Sequence, residues 1–188
     1  TVSRYLNGYK LREPNRIRIE EAINELGFRE NFIAKGLKTN RSMTIGVVLA
    51  SLTDLFATSV ITAAERVLAQ DNYSIIVCDF ESCQEKLEQK LHFLKSRSVD
   101  GLILFPSSCA VSAVLQEYLD DSIPVVIVND DMPGFDTDKI TVDNANASFR
   151  AVEYLIHQNH RDIAIINGDQ GTYTGRERYK GYLEAMQT

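Results

Sequence analysis

The sequence predicts an α/β protein: a doubly wound parallel sheet over residues 43–142, a second α/β segment beginning in 143–188, and a small all-α head over 1–42. Three observations predict it. From Met43 onward short apolar runs alternate with amphipathic stretches, before Met43 no strand pattern exists, and the charge changes sign at the same boundary.

The apolar runs are TIGVVLA (44–50), SIIVCDF (74–80), GLILF (101–105), PVVIVN (124–129) and DIAIING (162–168). They are short, rich in Val and Ile, and apolar on both faces, as strands covered by helices on both sides must be. Helices are expected between them at 57–70, 83–97, 110–120 and 145–158. Val60, Ala63, Ala64, Val67 and Leu68 mark one face of the first, and Leu87, Leu91 and Leu94 one face of the second. Strand–helix–strand repetition with right-handed crossovers gives the doubly wound class.

The head reads as helices broken by Gly8, Pro14 and Gly27. TVSRYLNG (1–8) is a short helix with Val2 and Leu6 apolar. NRIRIEEAINELG (15–27) puts Ile19, Ala22, Ile23 and Leu26 on one face and Gly27 at the C-cap. NFIAKGLK (31–38) is about two helical turns, too short to be stable alone in water, so a partner must order it.

Net charge is −6, but residues 1–42 hold nine Lys/Arg against five Glu, a net +4, leaving −10 on 43–188. A basic head on an acidic body points to nucleic acid as the partner of the head. At 44% hydrophobic and 24% charged residues the chain can bury a globular core. No apolar run reaches bilayer length and no signal peptide is evident, so the expected location is the cytoplasm.

Catalysis and cofactors are not expected. The loop after the first strand, SLTDLF, contains no glycine, so it offers no dinucleotide fingerprint, and neither a P-loop nor a nucleophile elbow occurs. His92 falls mid-helix. Cys78, Cys83 and Cys109 are odd in number without a CxxC pair, and read as small buried hydrophobes. His157 and His160 have no third ligand near them, so no metal site is expected.

TVSRYLNG, then EAINELGFRENFIAKGLKTNRSMTIGVV (21–48), then RYKGYLEAM (178–186) resemble, in order, segments of the lactose/galactose-repressor family of bacterial transcription regulators. The resemblance implies a periplasmic-binding-protein-like body behind a helix-turn-helix DNA-binding head with a hinge helix at 31–38. The head would occupy 1–42, the effector N-subdomain 43–142, and the start of the C-subdomain 143–188. Relative to the family, the first helix and turn of the head and roughly the last third of the effector domain are absent from these residues. It implies a homodimer that binds double-stranded operator DNA and responds to a small-molecule effector, a sugar.

Thr1, Ser3, Arg4 and Asn7 would lie on the recognition helix, where Arg4 can contact guanine bidentately and the others reach phosphates or base edges. Leu37 would wedge into the minor groove at the operator centre, with Lys38 beside it and Asn31 and Ala34 near the backbone. In the body, effector contacts would come from Leu55 and Phe56 on the cleft floor, from Ser107 and Asp130, from Asp79 after the second strand, and from Arg178 as a clamp. A doubly wound sheet binds ligands beyond the carboxyl ends of its strands, which suits these loops. Two other readings share the body: a catabolite-control-type regulator corepressed by a phosphoprotein, and a periplasmic-type sugar-binding protein. The second would have no use for TVSRYLNG or the hinge.

Overall fold

A computed structural model describes residues 1–6, 9–28, 41–107 and 113–187 of the chain. It divides into two compact units, Thr1–Asn40 and Arg41–Thr188.

In the first unit, helix α1 spans Val2–Leu6 and α2 spans Glu13–Leu26. Pro14 sits in the first turn of α2, where its missing N–H costs nothing. Gly27 ends the helix at φ 58°, its N–H bonding Asn24 O while Phe28 N–H reaches back to Ile23 O. The left-handed conformation is open to glycine without a Cβ penalty. Tyr5 Oη donates to Glu20 at 3.0 Å, joining the two helices, and Arg16 bridges Glu13 and Glu20 along α2. The stripe predicted for α2 lines an apolar groove of about 330 Å³, formed by Ile19, Ala22, Ile23 and Leu26 with Val2 and Phe28. No residue of α2 is buried within this unit. The predicted segment 31–38 lies outside the described residues.

The second unit is built on a five-stranded, wholly parallel sheet in the order β2-β1-β3-β4-β5. The strands are β1 Thr44–Leu49, β2 Ser74–Asp79, β3 Gly101–Leu104, β4 Val125–Val128 and β5 Asp138–Ile140. The connecting helices are α3 Leu55–Leu68, followed by a 3-10 turn at Ala69–Asp71, then α4 Gln84–Ser96 and α5 Ala113–Asp120. Helices α6 Asn144–His157 and α7 Tyr173–Met186 complete it. All four helices predicted for the body form within about three residues of their expected ends. Asp54 starts α3 by accepting from Phe56 N–H and Ala57 N–H, an N-cap worth about 1 kcal/mol.

Alternate residues of each strand face opposite layers. Val48, Leu102, Leu104 and Ile127 face Leu87, Leu91 and Leu94 of α4 and Leu115 and Tyr118 of α5. Val47, Leu49 and Val128 face the other way, toward Ala57 and the flank of α3. Gly46 lets α4 sit close to the sheet, since a Cβ there would come within 2.8 Å of Leu94 Cδ1. Among the described residues no helix is long and apolar enough to cross a membrane.

One predicted strand does not form. Residues 162–168 carry no ladder, and the fifth strand is instead Asp138–Ile140, registered on Val126–Val128 of β4. A strand is defined by a partner's N–H and C=O groups. β4 offers its free edge to 138–140, while no described strand lies beside 162–168. Ile163 and Ile165 are half-buried there, and Ile166 is fully exposed.

Candidate effector cleft

The carboxyl ends of β3 and β4 open into a cleft of about 390 Å³, within the range of small-molecule sites. One wall is Pro106 and Ser107 after β3. A second is the loop after β4, with Asp130, Asp131, Met132, Pro133 and Phe135. The third is the start of α7, with Gly171, Tyr173 and Arg176.

Local chemistry shapes each wall. Asn129 leaves β4 with φ 61°, a left-handed value that Asn tolerates better than most residues. Asp130 Oδ1 then accepts from Met132 N–H at 2.8 Å, closing a tight turn, and Met132 drops its side chain into the core at 4% exposure. Lys139 Nζ holds the Met132 carbonyl at 3.1 Å. On the far wall Asp169 accepts from Gly171 N–H, and Thr172 caps α7 by accepting from Gly175 N–H. Arg176 donates to Gly171 O at 3.1 Å, and its other terminal nitrogen lies 3.8 Å from Asp131.

Burial pushes the Asp130 carboxyl above the usual carboxylate range, against the Met132 N–H bond, and the adjacent charge of Asp131 pushes the same way. Burial also raises the Tyr173 phenol, helped by Glu177 and Asp131.

Of the predicted effector residues, the fold brings Ser107 and Asp130 to this cleft. Arg178 lies on the second turn of α7, where its Nε donates to Asn144 Oδ1 at 3.0 Å. Leu55 and Phe56 form the first turn of α3, exposed and not among the residues of this wall. The Asp79 carboxylate is taken by the backbone, accepting from Leu52 N–H and Glu81 N–H. In the head, Thr1, Ser3 and Arg4 are exposed on or beside α1, with the Arg4 guanidinium 5.7 Å from the centre of the Tyr9 ring. Asn7, Asn31, Ala34, Leu37 and Lys38 lie outside the described residues.

Sequence reasoning did not single out Asp131, Tyr173, Arg176 or Asn144. The first three lie in stretches already marked as loops at strand ends, NDDM and GDQGTYTGRER, and the i,i+3 spacing of Tyr173 and Arg176 would have placed them together. Asn144 had no such signal. It is the sole buried polar residue among those described, at 4% exposure, and burial is not readable from one residue in a helix start.

Residues 42–188 match the family model for periplasmic binding proteins and the sugar binding domain of the LacI family. The HTH-type transcriptional regulator PtxS of Pseudomonas putida is 32% identical over 185 residues, which is 97% of this chain and 54% of that protein. The HTH-type transcriptional repressor PurR of Vibrio campbellii is 30% identical over 189 residues, 99% of this chain and 56% of that protein. A periplasmic binding protein/LacI transcriptional regulator from Alkaliphilus metalliredigens, solved with D-xylulofuranose, superposes with a TM-score of 0.65 at 25% identity. That superposition covers 77% of this chain and 52% of the other. The chain spans about half the length of the curated relatives it matches. On the matching model, the parallel sheet and the cleft at its strand ends, this chain belongs to the family of periplasmic binding proteins and LacI-type sugar-binding domains.

Proposed function

We propose that this chain is the larger part of a sequence-specific transcription repressor whose affinity for operator DNA is set by a small sugar held in the cleft. One observation carries the reading. The cleft opens at the strand ends of a LacI-family sugar-binding body, while HTH-type regulators align over 97% and 99% of the chain, too much to leave out residues 1–40. The domain division that follows is a DNA-binding head over 1–42, an N-subdomain over 43–142 and the start of a C-subdomain from 143.

In this reading Arg4, Thr1, Ser3 and Asn7 face the major groove. Asn31, Ala34, Leu37 and Lys38 form the hinge contacts with the minor groove and its backbone. Ser107 and Asp130 hold the sugar, Arg178 clamps it from α7, Leu55 and Phe56 line the floor of the site, and Asp79 after β2 contributes to it. The working unit is a homodimer in the cytoplasm on a pseudo-palindromic operator, and no catalytic step or cofactor is assigned. The cleft favours a small effector over corepression by a phosphoprotein, because its polar lining and its volume of about 390 Å³ suit a small ligand.

The test is operator binding by the full-length protein across a salt series, with and without sugars. Each phosphate neutralised contributes about −0.9 to the slope of log K against log salt. A sugar that shifts operator affinity supports the proposal. Equal affinity for every duplex, or no effect of any small ligand, refutes it.

A further inference from the structure

We propose that Asp100 is a positioning residue for operator binding: its carboxylate pins the chain where the segment leading out of the head joins β1. The inference rests on the DNA-binding reading above and adds to it a residue of the body.

Asp100 lies between α4 and β3 and is half-buried. Its Oδ1 accepts from Ser42 N–H at 2.7 Å and from Ser42 Oγ at 3.0 Å, and its Oδ2 accepts from Met43 N–H at 3.0 Å. Those two N–H groups lie ahead of the first ladder pair, Thr44 with Ser74, so the carboxylate takes the place of a strand partner. Hydrogen bonds to an ionised acceptor are about twice as strong as neutral ones. The chain also turns a corner here. Met43 has φ 53°, a left-handed value disfavoured for a residue with a Cβ, and such a conformation persists only where its surroundings hold it. The backbone around it is tied down as well: Ser74 N–H donates to Met43 O at 2.9 Å, and Asp100 N–H to Thr44 O at 2.8 Å.

Lys38, the last of the proposed hinge contacts, precedes Ser42 closely in the sequence. A head on a slack leash samples many placements, and these are lost when two heads settle onto half-sites at a fixed spacing. A leash pinned at its root has fewer placements to lose. That ordering cost falls on specific binding, where the heads must meet particular base pairs in register. Non-specific binding is carried by phosphate charge and tolerates many placements, so it depends little on the anchor. Side-chain chemistry sets the order in which substitutions should act. In Asp100→Asn the amide oxygen still accepts from Ser42, but the NH₂ group meets Met43 N–H as a second donor. Ser42→Ala removes the hydroxyl bond alone and keeps both bonds from the backbone.

The experiment compares the full-length wild type with Asp100→Ala, Asp100→Asn and Ser42→Ala on two duplexes. One is selected by wild type from a random-sequence pool, and the other is a scramble of the same length and composition. The ratio of specific to scrambled affinity should fall by about tenfold in Asp100→Ala, less in Asp100→Asn and little in Ser42→Ala, with the scramble bound alike by all four. Trypsin reports on the anchor without DNA. The Arg41–Ser42 bond should be cut about tenfold faster in Asp100→Ala, relative to the Lys38–Thr39 bond ahead of the anchor in sequence. A cutting ratio equal to that of wild type overturns the proposal, because the carboxylate then does not hold the linker. An unchanged affinity ratio overturns it too, as does an equal loss on both duplexes with a lowered melting temperature, the mark of plain destabilisation. Each of these leaves the repressor reading standing. A wild type that selects no sequence overturns that reading and the positioning role with it.

Discussion

Arg178 on α7 donates its Nε to the side-chain oxygen of Asn144 at 3.0 Å, and Asn144 passes its own Nδ2 to Asn129 Oδ1 and Val142 O, each at 3.0 Å. The amide orientation follows, since only the oxygen can accept from the guanidinium and only the nitrogen can donate to two acceptors. This buried residue therefore ties the end of β4 to both α6 and α7.

Asn144→Ala is expected to remove the partner of Asn129 Oδ1, which is half-buried, and of the Arg178 Nε–H, on an exposed residue. The cost should be about 0.5–1.5 kcal/mol per hydrogen bond lost, the usual net worth of one. Urea unfolding of the full-length protein measures it. A midpoint unchanged from wild type would mean that water replaces the amide.

Asp130 carries a pH signature. Because its folded-state value is raised, the folded protein holds this proton more tightly than the unfolded chain. Between the ordinary carboxylate value and the raised one, stability from this group falls as pH rises, and above both it is a constant penalty. Asp130→Asn keeps an oxygen to accept from Met132 N–H and removes the penalty. The variant should melt higher than wild type at neutral pH, with the gap closing toward pH about 4. A gap that widens on acidification contradicts the assignment.

Tyr118 is fully buried beneath α4, its hydroxyl donating to Leu91 O at 2.6 Å. Burial pushes the phenol up to about 12. Tyr118→Phe should cost about 0.5–1.5 kcal/mol, the net worth of one hydrogen bond. Wild type should also lose stability as pH rises from about 10 toward the folded value, because the unfolded phenol ionises first. Thermal melts from pH 8 to 11 should show that limb in wild type and its weakening in the Phe variant.

Gly181 is the close contact between α6 and α7, where an added Cβ would lie 2.0 Å from Ala145 O. Backbone cannot rotate aside as a side chain can, so Gly181→Ala should force the two helices apart at a cost of about 1–3 kcal/mol or more. Gly168→Ala is the control, with nothing within 4 Å of the added methyl. Equal melting temperatures for the two variants would disprove the packing argument.

Leu37→Ala tests the proposed hinge contact by function. Loss of a minor-groove wedge should pull specific operator affinity toward the non-specific level, a gap of roughly 4–10 kcal/mol in such systems, with folding stability nearly unchanged. A core leucine would instead cost about 2–5 kcal/mol of stability on truncation. A lowered melting temperature with unaltered DNA bending would remove Leu37 from the hinge role.

Local rules were enough for much of the fold. The continuous apolar run of TIGVVLA, the helical spacing of Leu87, Leu91 and Leu94, and Gly27 after α2 each act through neighbours a few residues away, so the residues themselves announce them. The loops that line the cleft were legible for the same reason, as the stretches that follow strands. Pairing and burial are different in kind, because they depend on what the chain brings back from far along its length. Asp138–Ile140 becomes a strand because β4 has a free edge, and Ile163–Ile166 does not because no described strand lies beside it. Asp79 accepts from Leu52 N–H, a partner 27 residues back that only the fold brings to the end of β2. Asp131 and Arg176 face one another across a cleft although they lie on separate elements, and Asn144 is dry only because β4, α6 and α7 close around it. Hydrogen bonds and charges act over a few ångströms in space, and only folding sets which residues come within that reach.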